Sequence, residues 1–458
     1  MTRLRRFLPL LACVLLGCAI LALFGPGGPL RRDEPPPVAR TPYDPAAYVG
    51  LAQEHLRRHP GDAATWASLG HAYLEQGRAS GDTAYHGKAQ GAFERALRLS
   101  PGEADALIGM GALANARHDF AGALRWAGRV RAAAPYRWPL YGVLTDAYLE
   151  LGDYARAEDS LRRMLNGRPD LASFTRVARV EHLRGHNDRA RRALVRALEI
   201  AANPAEQAFC LWQLGDLAWS EGDLGTAVDS HTRALAADPG QAPSLAGRAR
   251  ALAALGRTGE ARRDYAAAVA RAPAYAAEYG ELLDHLGDRA GAKRQYAVFA
   301  AQEKLLAAGG AGDDLAMGRF EADHGRPAAA VRRLRAEWKR RQSVDVADAL
   351  GWALHRAGRH REAAAYARRA GRLGGRNALF AYHRGEIERA LGHDAAARAL
   401  LAEALSVNPH FSPSAAARAR ALLAAEPHPS ATDHPGGPGP SATRRPRALS
   451  LTESTRPT

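Results

Sequence analysis

Lysine, cysteine and aromatic residues are scarce in this sequence of 458 residues. It contains four lysines and three cysteines, and 7% of its residues are aromatic. Cys13 and Cys18 both lie in an apolar N-terminal run, so Cys210 has no disulfide partner in the rest of the chain. Valine, isoleucine and threonine are also few, whereas alanine, the strongest helix former, is abundant. The composition predicts an all-α protein whose helices pack closely through small side chains.

The motifs of common catalytic and nucleotide sites are also missing. No P-loop, nucleophile elbow or dinucleotide fingerprint occurs, and the glycine-rich segment 309–312 lacks the Lys-Ser/Thr of a phosphate-binding loop. The pairs His182/His186 and His355/His360 lack the glutamate and cysteine neighbours typical of zinc sites. The sequence therefore predicts a protein without catalytic residues, cofactor or metal ion.

Positive charge exceeds negative charge by 15 at neutral pH, and nearly all of the excess is arginine. Most arginines are scattered and stand beside alanine, aspartate or glutamate, which favours a solvated helical surface. Nucleic-acid-binding proteins usually concentrate such charge on one face or stripe. A polyanion-binding surface remains the alternative interpretation.

An apolar run at residues 7–24 follows three arginines and precedes glycine- and proline-rich residues. A basic segment, an apolar segment and a helix breaker together predict a signal anchor over residues 1–28, with a proline-rich linker at 29–44. Three arginines before the run and two after it favour a cytoplasmic N-terminus. We therefore expect the rest of the chain to be membrane-anchored outside the cytoplasm. A cleaved signal peptide of a secreted protein and a lipoprotein signal ending at Cys18 are the alternatives.

One pattern recurs along most of the chain: a glycine followed five residues later by an alanine. The pairs are Gly152/Ala157, Gly185/Ala190, Gly222/Ala227, Gly256/Ala261, Gly287/Ala292, Gly325/Ala330, Gly358/Ala363 and Gly392/Ala397. Successive copies start 31 to 38 residues apart. Glycine suits the left-handed backbone that ends many helices, and alanine allows two helices to approach closely. The pattern predicts repeated helix–turn–helix units, with each glycine in the turn and each alanine in the second helix.

Several units carry further residues of a known repeat. The fullest copy has Trp66, Leu69, Gly70, Tyr73, Phe93, Ala96 and Pro101. With these residues the chain resembles the tetratricopeptide repeat (TPR) family over residues 45–425, and we expect a bacterial member of that family. The resemblance implies an all-α, right-handed superhelical solenoid of antiparallel helix pairs, with about ten repeats and a capping helix. Residues 426–458 are rich in proline, serine, threonine and arginine and are predicted to be disordered.

Four irregularities interrupt the repeats. About seven extra residues near 79–87 separate the helices of the first unit, which predicts a longer turn or longer helices. The unit at 276–309 is three residues shorter in its first helix, and Gly375 stands where other units have proline. Residues 307–314 (AAGGAGDD) predict a loop, which is the best candidate for a hinge.

The family resemblance also implies which side chains face the concave groove. The groove positions of the first helices select Arg179, His182, Trp212, Asp216, Trp219, Arg250, Trp352, His355, Tyr382 and Glu386. Trp212 and Trp219 lie seven residues apart on one helix face, and aromatic and arginine side chains are common binding anchors. Packing between repeats is the alternative role for the rings. The Lys/Asn pair with which chaperone-binding members grip a C-terminal carboxylate is missing.

We therefore predict a non-enzymatic scaffold that binds a partner protein or peptide in its groove at the cell envelope, with no nucleic acid expected. The alternative is an arginine-rich solenoid that binds nucleic acid or an acidic polymer. The identity of the partner and the oligomeric state stay open.

Overall fold

The computed structural model describes residues 45–80, 82–134, 136–310 and 312–425. Within these ranges the chain forms 22 α-helices, a short 3-10 helix (Pro273–Tyr275) and no strand. The predicted segments 1–28, 29–44 and 426–458 lie outside the described residues, which start at Pro45 and end at Ala425. The helices are α1 (Pro45–Arg58), α2 (Ala63–Ser80), α3 (Ala84–Leu99), α4 (Ala104–Ala116), α5 (Phe120–Ala133), α6 (Leu140–Leu151), α7 (Tyr154–Gly167), α8 (Leu171–Leu183), α9 (Asn187–Glu199), α10 (Pro204–Ser220), α11 (Leu224–Ala237), α12 (Ala242–Ala254), α13 (Thr258–Arg271), α14 (Ala276–His285), α15 (Arg289–Ala308), α16 (Asp314–Asp323), α17 (Pro327–Arg340), α18 (Val344–Arg356), α19 (His360–Ala370), α20 (Ala378–Ala390), α21 (Asp394–Val407) and α22 (Pro413–Ala424).

Twenty of these helices pack as ten antiparallel pairs, from α2/α3 to α20/α21, and α1 and α22 flank them. We call the members of each pair its first and second helix. Second helices also pack against the first helix of the next pair, so neighbouring pairs share core clusters, of which the largest extends from α16 to α22. The all-α solenoid predicted from the sequence is confirmed.

The repeated glycines and alanines occupy the predicted places. All eight glycines lie between the helices of a pair and have φ between 77° and 91°, a region that favours glycine. All eight alanines are at most 2% exposed, because the first helix of the same pair packs against them. His118, with φ 58°, holds the glycine position of a ninth pair, five residues before the buried Ala123. The spacing to that alanine was the available signal for this turn.

Aspartates directly after the turn begin several second helices. Asp119, Asp153, Asp223 and Asp288 each accept a hydrogen bond from a backbone N–H of the following first helical turn. Such an N-cap contributes about 1 kcal/mol to helix stability. The turn and the cap are therefore adjacent in sequence, and the reversal of chain direction is encoded locally.

One ring per pair can fill the space between consecutive first helices. Phe93 of α3 is fully buried between Gly70 and Gly109, where a β-carbon on either glycine would clash with the ring. His231 of α11 is buried in the same way between Gly215 and Gly247. His231 therefore takes a packing position that is apolar in the first pair.

The solenoid winds back onto itself, and successive turns touch along a line that we call the seam. The seam joins the turn inside one pair to the linker that follows a second helix further along the chain. The backbone N–H of Gln342 donates to the carbonyl oxygen of Leu151 at 3.1 Å, and that of Val344 donates to the Tyr154 hydroxyl at 2.9 Å. Further along, the Asn408 side chain donates to the carbonyl oxygen of Trp219 at 2.7 Å.

The register of the seam is nearly constant. Three of its side-chain bonds join residues 189 to 191 positions apart, such as Arg341 and Glu150 at 2.7 Å, and the longer reach of Arg340 and Arg372 adds bonds to backbone carbonyls 222 and 220 positions away. Between the seam contacts of Gln342 and Asn408, Gly375 lies close to the backbone of Leu183. A β-carbon on Gly375 would collide with the Leu183 carbonyl oxygen. The departure from proline at this position thus has a steric reason, which is the close approach of two superhelical turns.

The irregular units differ from the others mainly in helix length. The extra residues of the first unit lengthen its first helix, since α2 has 18 residues. The shortened unit has a first helix of 10 residues, α14, followed by a second helix of 20 residues, α15. Because α15 continues through Ala308, the predicted loop at 307–314 begins two residues later than expected. Its role as a hinge stays a prediction.

The predicted membrane-anchored location is contradicted. Among the helices of the described ranges, none is long and apolar enough to cross a membrane. The apolar run at residues 7–24, on which that prediction rested, lies outside these ranges.

Candidate functional site

Four of the predicted groove residues meet in one pocket. Arg179 and His182 of α8 face Trp212 and Asp216 of α10 across a volume of about 200 Å³. The His182 ring is oriented by Asn187, since its Nδ1 lies 2.9 Å from the Asn187 side-chain oxygen. We call this volume the small pocket.

Two polar atoms at the small pocket have no hydrogen-bond partner in the described part of the chain. The Gln213 Nε2 is a buried donor and the Asp216 Oδ1 is a buried acceptor, and neither is hydrogen-bonded. A buried polar atom without a partner costs about 1–3 kcal/mol, so such atoms favour a ligand or water that completes them. Sequence reasoning selected Asp216 but missed Gln213, which lies beside the predicted Trp212.

The charge of Asp216 is balanced by its neighbours. Burial raises its pKa to about 6, against the attraction of Arg250, whose guanidinium lies 3.8 Å away. Burial alone lowers the pKa of Arg250, but the carboxylates of Glu278 and Asp216 raise it above its ordinary value. Beneath them, burial and the charges of Arg250 and Arg248 lower the pKa of His231 to about 3. His231 is therefore neutral, and both of its ring nitrogens lack a hydrogen-bond partner.

Trp219 and Arg250 belong to a second volume, of about 680 Å³, which we call the large cavity. Its walls come from α10, α12, α13, α14, α16 and α20, and from α22 and its preceding linker, and they include Arg319 and Arg420 as well as Arg250. The Arg250 guanidinium lies 5.5 Å from the centre of the Trp219 ring and 3.2 Å from the Glu278 carboxylate. The shared Asp216–Arg250 contact places the small pocket and the large cavity side by side.

Trp352, in contrast, is a packing residue. It is 6% exposed, its indole N–H donates to Asp323 at 2.7 Å, and its ring stacks on His383 at 4.2 Å. The His383 ring is also held by Asp348, whose Oδ1 lies 3.0 Å from the His383 Nδ1. The position of Trp352 favours packing between pairs, which was the alternative role weighed from the sequence.

Tyr382 and Glu386 are also buried. Tyr382 packs its ring 5.5 Å from that of Phe411, and burial followed by the charge of Glu386 raises its pKa to about 12. Glu386 is 2% exposed and pairs with Arg418 of α22 at 3.0 Å. These two side chains hold the last helix in place, so their expected access to a groove ligand needs correction.

His355 is half-buried on the same surface. Its Nδ1 lies 3.2 Å from that of His360, and burial followed by the charge of His360 lowers its pKa to about 4. Within the described ranges, no group of three or more His, Cys, Asp or Glu side chains is arranged to hold a metal ion.

Charge is distributed differently on the two helices of a pair. First-helix arginines pair with carboxylates of a neighbouring first helix, as Arg176 does with Asp146 at 2.6 Å and Arg319 with Asp345 at 3.3 Å. The first helix α14 carries three acidic residues and no lysine or arginine. The second helix α17 carries five basic residues and one acidic residue. Acidic groups are therefore enriched on first helices such as α14 and basic groups on second helices such as α17, where Arg333, Arg335 and Arg340 pair with carboxylates.

One segment of the chain matches a known repeat family. Residues 140–173 match the tetratricopeptide repeat family. This match covers α6 and α7, one pair with the glycine turn and buried alanine described above. The fold is a TPR-type helical solenoid, a scaffold class that binds proteins and is generally non-enzymatic. The comparison with curated proteins found no match.

Solved structures with a similar fold come from several organisms. The human IFIT1 dimer with PPP-AAAA is 14% identical, with 72% of this chain and 78% of that chain covered and a TM-score of 0.45. A thermophilic TPR protein from Thermus thermophilus, TTC0263, is 24% identical, with 42% and 98% covered and a TM-score of 0.36. Yeast Tom70 is 11% identical, with 82% and 95% covered and a TM-score of 0.36. These likenesses concern the fold alone.

Proposed function

We propose that this protein is a non-enzymatic scaffold that binds an extended segment of a partner protein at the small pocket and the adjoining large cavity. The observation that carries the proposal is the convergence of Arg179, His182, Trp212 and Asp216 on one pocket. Other residues chosen by the same rule, such as Trp352, are occupied in packing. The ligand-facing part of the concave surface is therefore centred on α8, α10 and α12.

The unpartnered atoms of the small pocket suit a peptide backbone. Each peptide unit offers one N–H donor and one carbonyl acceptor. The Asp216 Oδ1, which lies 3.8 Å from Arg250 and from His231 without a hydrogen bond, can accept the donor, and the Gln213 Nε2 can bind the acceptor. The Trp212 ring, 5.6 Å from that of Phe209, adds an apolar surface for a side chain of the ligand.

Replacement of Trp212 with alanine tests the proposal. The full chain is used to purify partners from its own cells, and the affinity of a purified partner for the wild-type and variant chains is then measured by titration. We expect Trp212→Ala to weaken binding by about 30-fold, the effect of removing a central aromatic anchor of about 2 kcal/mol.

Trp126→Ala is the matched control. Trp126 is also a half-buried tryptophan, with the Arg129 guanidinium 4.7 Å from its ring, but it lies on the second helix α5. We expect this variant to keep the partner and its affinity. An unchanged affinity in Trp212→Ala, or an equal loss in both variants, would show that the small pocket is not the binding site.

A polyanion ligand is the second candidate, favoured by the basic second helices. Arg332, Arg333, Arg335, Lys339 and Arg340 all lie on α17. Binding of a short single-stranded RNA or of polyphosphate to this surface would weaken steeply as salt is raised, because bound cations are released from the ligand. Binding that does not change with salt, or no binding at low salt, would end this alternative.

A further inference from the structure

The large cavity has the size of a ligand site and carries a carboxylate that the protein leaves unpaired. A volume of about 680 Å³ lies within the range of 300–1,000 Å³ that is usual for ligand pockets. Glu278 and Glu281 of α14 both line it, one helical turn apart. Glu278 is paired with Arg250, whereas Glu281 forms no ion pair or hydrogen bond in the described part of the chain.

The protein's own Arg250 shows how this cavity holds a cation. Its guanidinium lies between two carboxylates, 3.2 Å from Glu278 and 3.8 Å from Asp216, and 5.5 Å from the centre of the Trp219 ring. Carboxylates and an aromatic face are the groups that recognise a guanidinium or ammonium ion. Glu281 repeats the carboxylate one turn further along α14. The other arginines that line the cavity bind elsewhere, Arg319 to Asp345 and Arg420 to the carbonyl oxygen of Pro409, and within the described chain neither pairs with Glu281.

The surroundings of Glu281 favour a positive ligand. Glu281 is exposed to solvent and lines the large cavity. Partial desolvation by the surrounding protein, followed by the negative charges of Asp323 and Glu278, raises the pKa of Glu281. A bound cation would relieve this repulsion, whereas a bound anion would add to it.

We propose that Glu281 receives the guanidinium or ammonium group of an arginine or lysine in the partner segment, so that the large cavity selects a cationic side chain. Phe411, contributed by the linker before α22, faces the same volume and can cover the aliphatic part of that side chain. The inference rests on the proposed function, since it assigns the side chain that enters the cavity beside the bound backbone. It makes the C-terminal linker a part of the binding site.

A peptide array tests this selection with the full chain. The array carries 12-residue peptides of varied sequence, each present in four versions that differ only in a central Arg, Lys, Gln or Glu. We expect the wild-type protein to bind the Arg or Lys version about tenfold more tightly than the Gln version, and Glu281→Gln to lose this preference. Glu281→Asp keeps the negative charge and is expected to keep the preference.

Asp284→Asn is the matched control, because it removes a negative charge from the same helix one turn further along, at a residue that does not line the cavity. We expect it to keep the preference. A thermal melt checks folding, and Glu281→Gln is expected to melt no lower than the wild type because it removes a repulsive charge.

The outcomes separate the two proposals. Peptide binding without a preference for Arg or Lys, or a preference that survives in Glu281→Gln, would overturn the role of Glu281 and leave the proposed function standing. An equal loss in Asp284→Asn would also overturn it, because the effect would then be one of general charge. If the wild-type chain binds no peptide of the array, the proposed function fails and this inference fails with it.

Discussion

Replacement of His231 with phenylalanine is expected to stabilise the protein. The imidazole is fully buried between Gly215 and Gly247, and neither ring nitrogen has a hydrogen-bond partner. Each unpartnered nitrogen costs about 1–3 kcal/mol, and the substitution removes both of these costs. Fitting the larger phenyl ring into the same space costs about 1–3 kcal/mol, because the ring is tightly enclosed. Phe93 shows that a phenyl ring fits between two glycines in this architecture. We expect a net gain of about 2 kcal/mol in the free energy of unfolding near pH 7.5.

The gain should grow as the pH falls. Burial holds the pKa of His231 at about 3 in the folded protein, against an ordinary value of 6.5. Between these values the unfolded histidine is protonated and the folded one is not, so the unfolded state binds more protons and acid destabilises the wild-type protein. Near pH 5 this difference amounts to about 2 kcal/mol, which His231→Phe does not incur. Its advantage should therefore reach about 4 kcal/mol there.

Urea unfolding followed by circular dichroism at both pH values measures this advantage. Equal slopes of the two unfolding curves establish that the compared transitions expose the same surface. Phe93→His is the reciprocal control, and it should destabilise the protein, more strongly near pH 5. A destabilised His231→Phe variant, or an advantage that does not change with pH, would refute the reasoning and show that the imidazole has a partner.

The seam gives two further predictions. Gly152→Ala should destabilise the protein by at least about 2 kcal/mol more than Gly256→Ala. Both glycines have φ near +80°, but only at Gly152 would the new methyl group collide with the carbonyl oxygen of Gln342. Equal losses in urea unfolding would contradict that contact. Asn408→Ala should cost about 1–3 kcal/mol by removing the bond to the carbonyl oxygen of Trp219, and a variant of wild-type stability would show that the bond is not formed.

The repeat fold could be predicted because the residues that determine each turn and helix contact lie close together in the sequence. Gly222 and Asp223, adjacent in the sequence, form the turn and the N-cap, and Ala227 marks the helix contact. The seam could not be predicted in this way, because its contacts join groups about 190 residues apart, and some of these, such as the N–H of Gln342 and the carbonyl of Leu151, are backbone groups that every residue type possesses. Gly375 was its only visible sign, and without the partner backbone its meaning could not be read.

The candidate site could be predicted only in part, for a similar reason. The groove register selected both Trp212 and Trp352, but a register does not say how the neighbouring side chains fill the space. His383 stacks on Trp352 and closes it off, whereas no ring covers Trp212 from the next pair in the described part of the chain. The groove register also did not select Glu281, because the first helix that carries this residue, α14, is shortened.

The constant register of the seam has a consequence for how such a chain can evolve. Open repeat arrays gain and lose units by duplication, because each unit contacts only its neighbours. Here the deletion of one pair between α11 and α16 would shift every later linker away from the turn that it now contacts. Asn408 would no longer face Trp219, and the two would be separated by about one unit. The number of repeats is therefore fixed by the geometry of the closed turn, and we expect insertions to be tolerated as longer helices, as in α2, rather than as whole units.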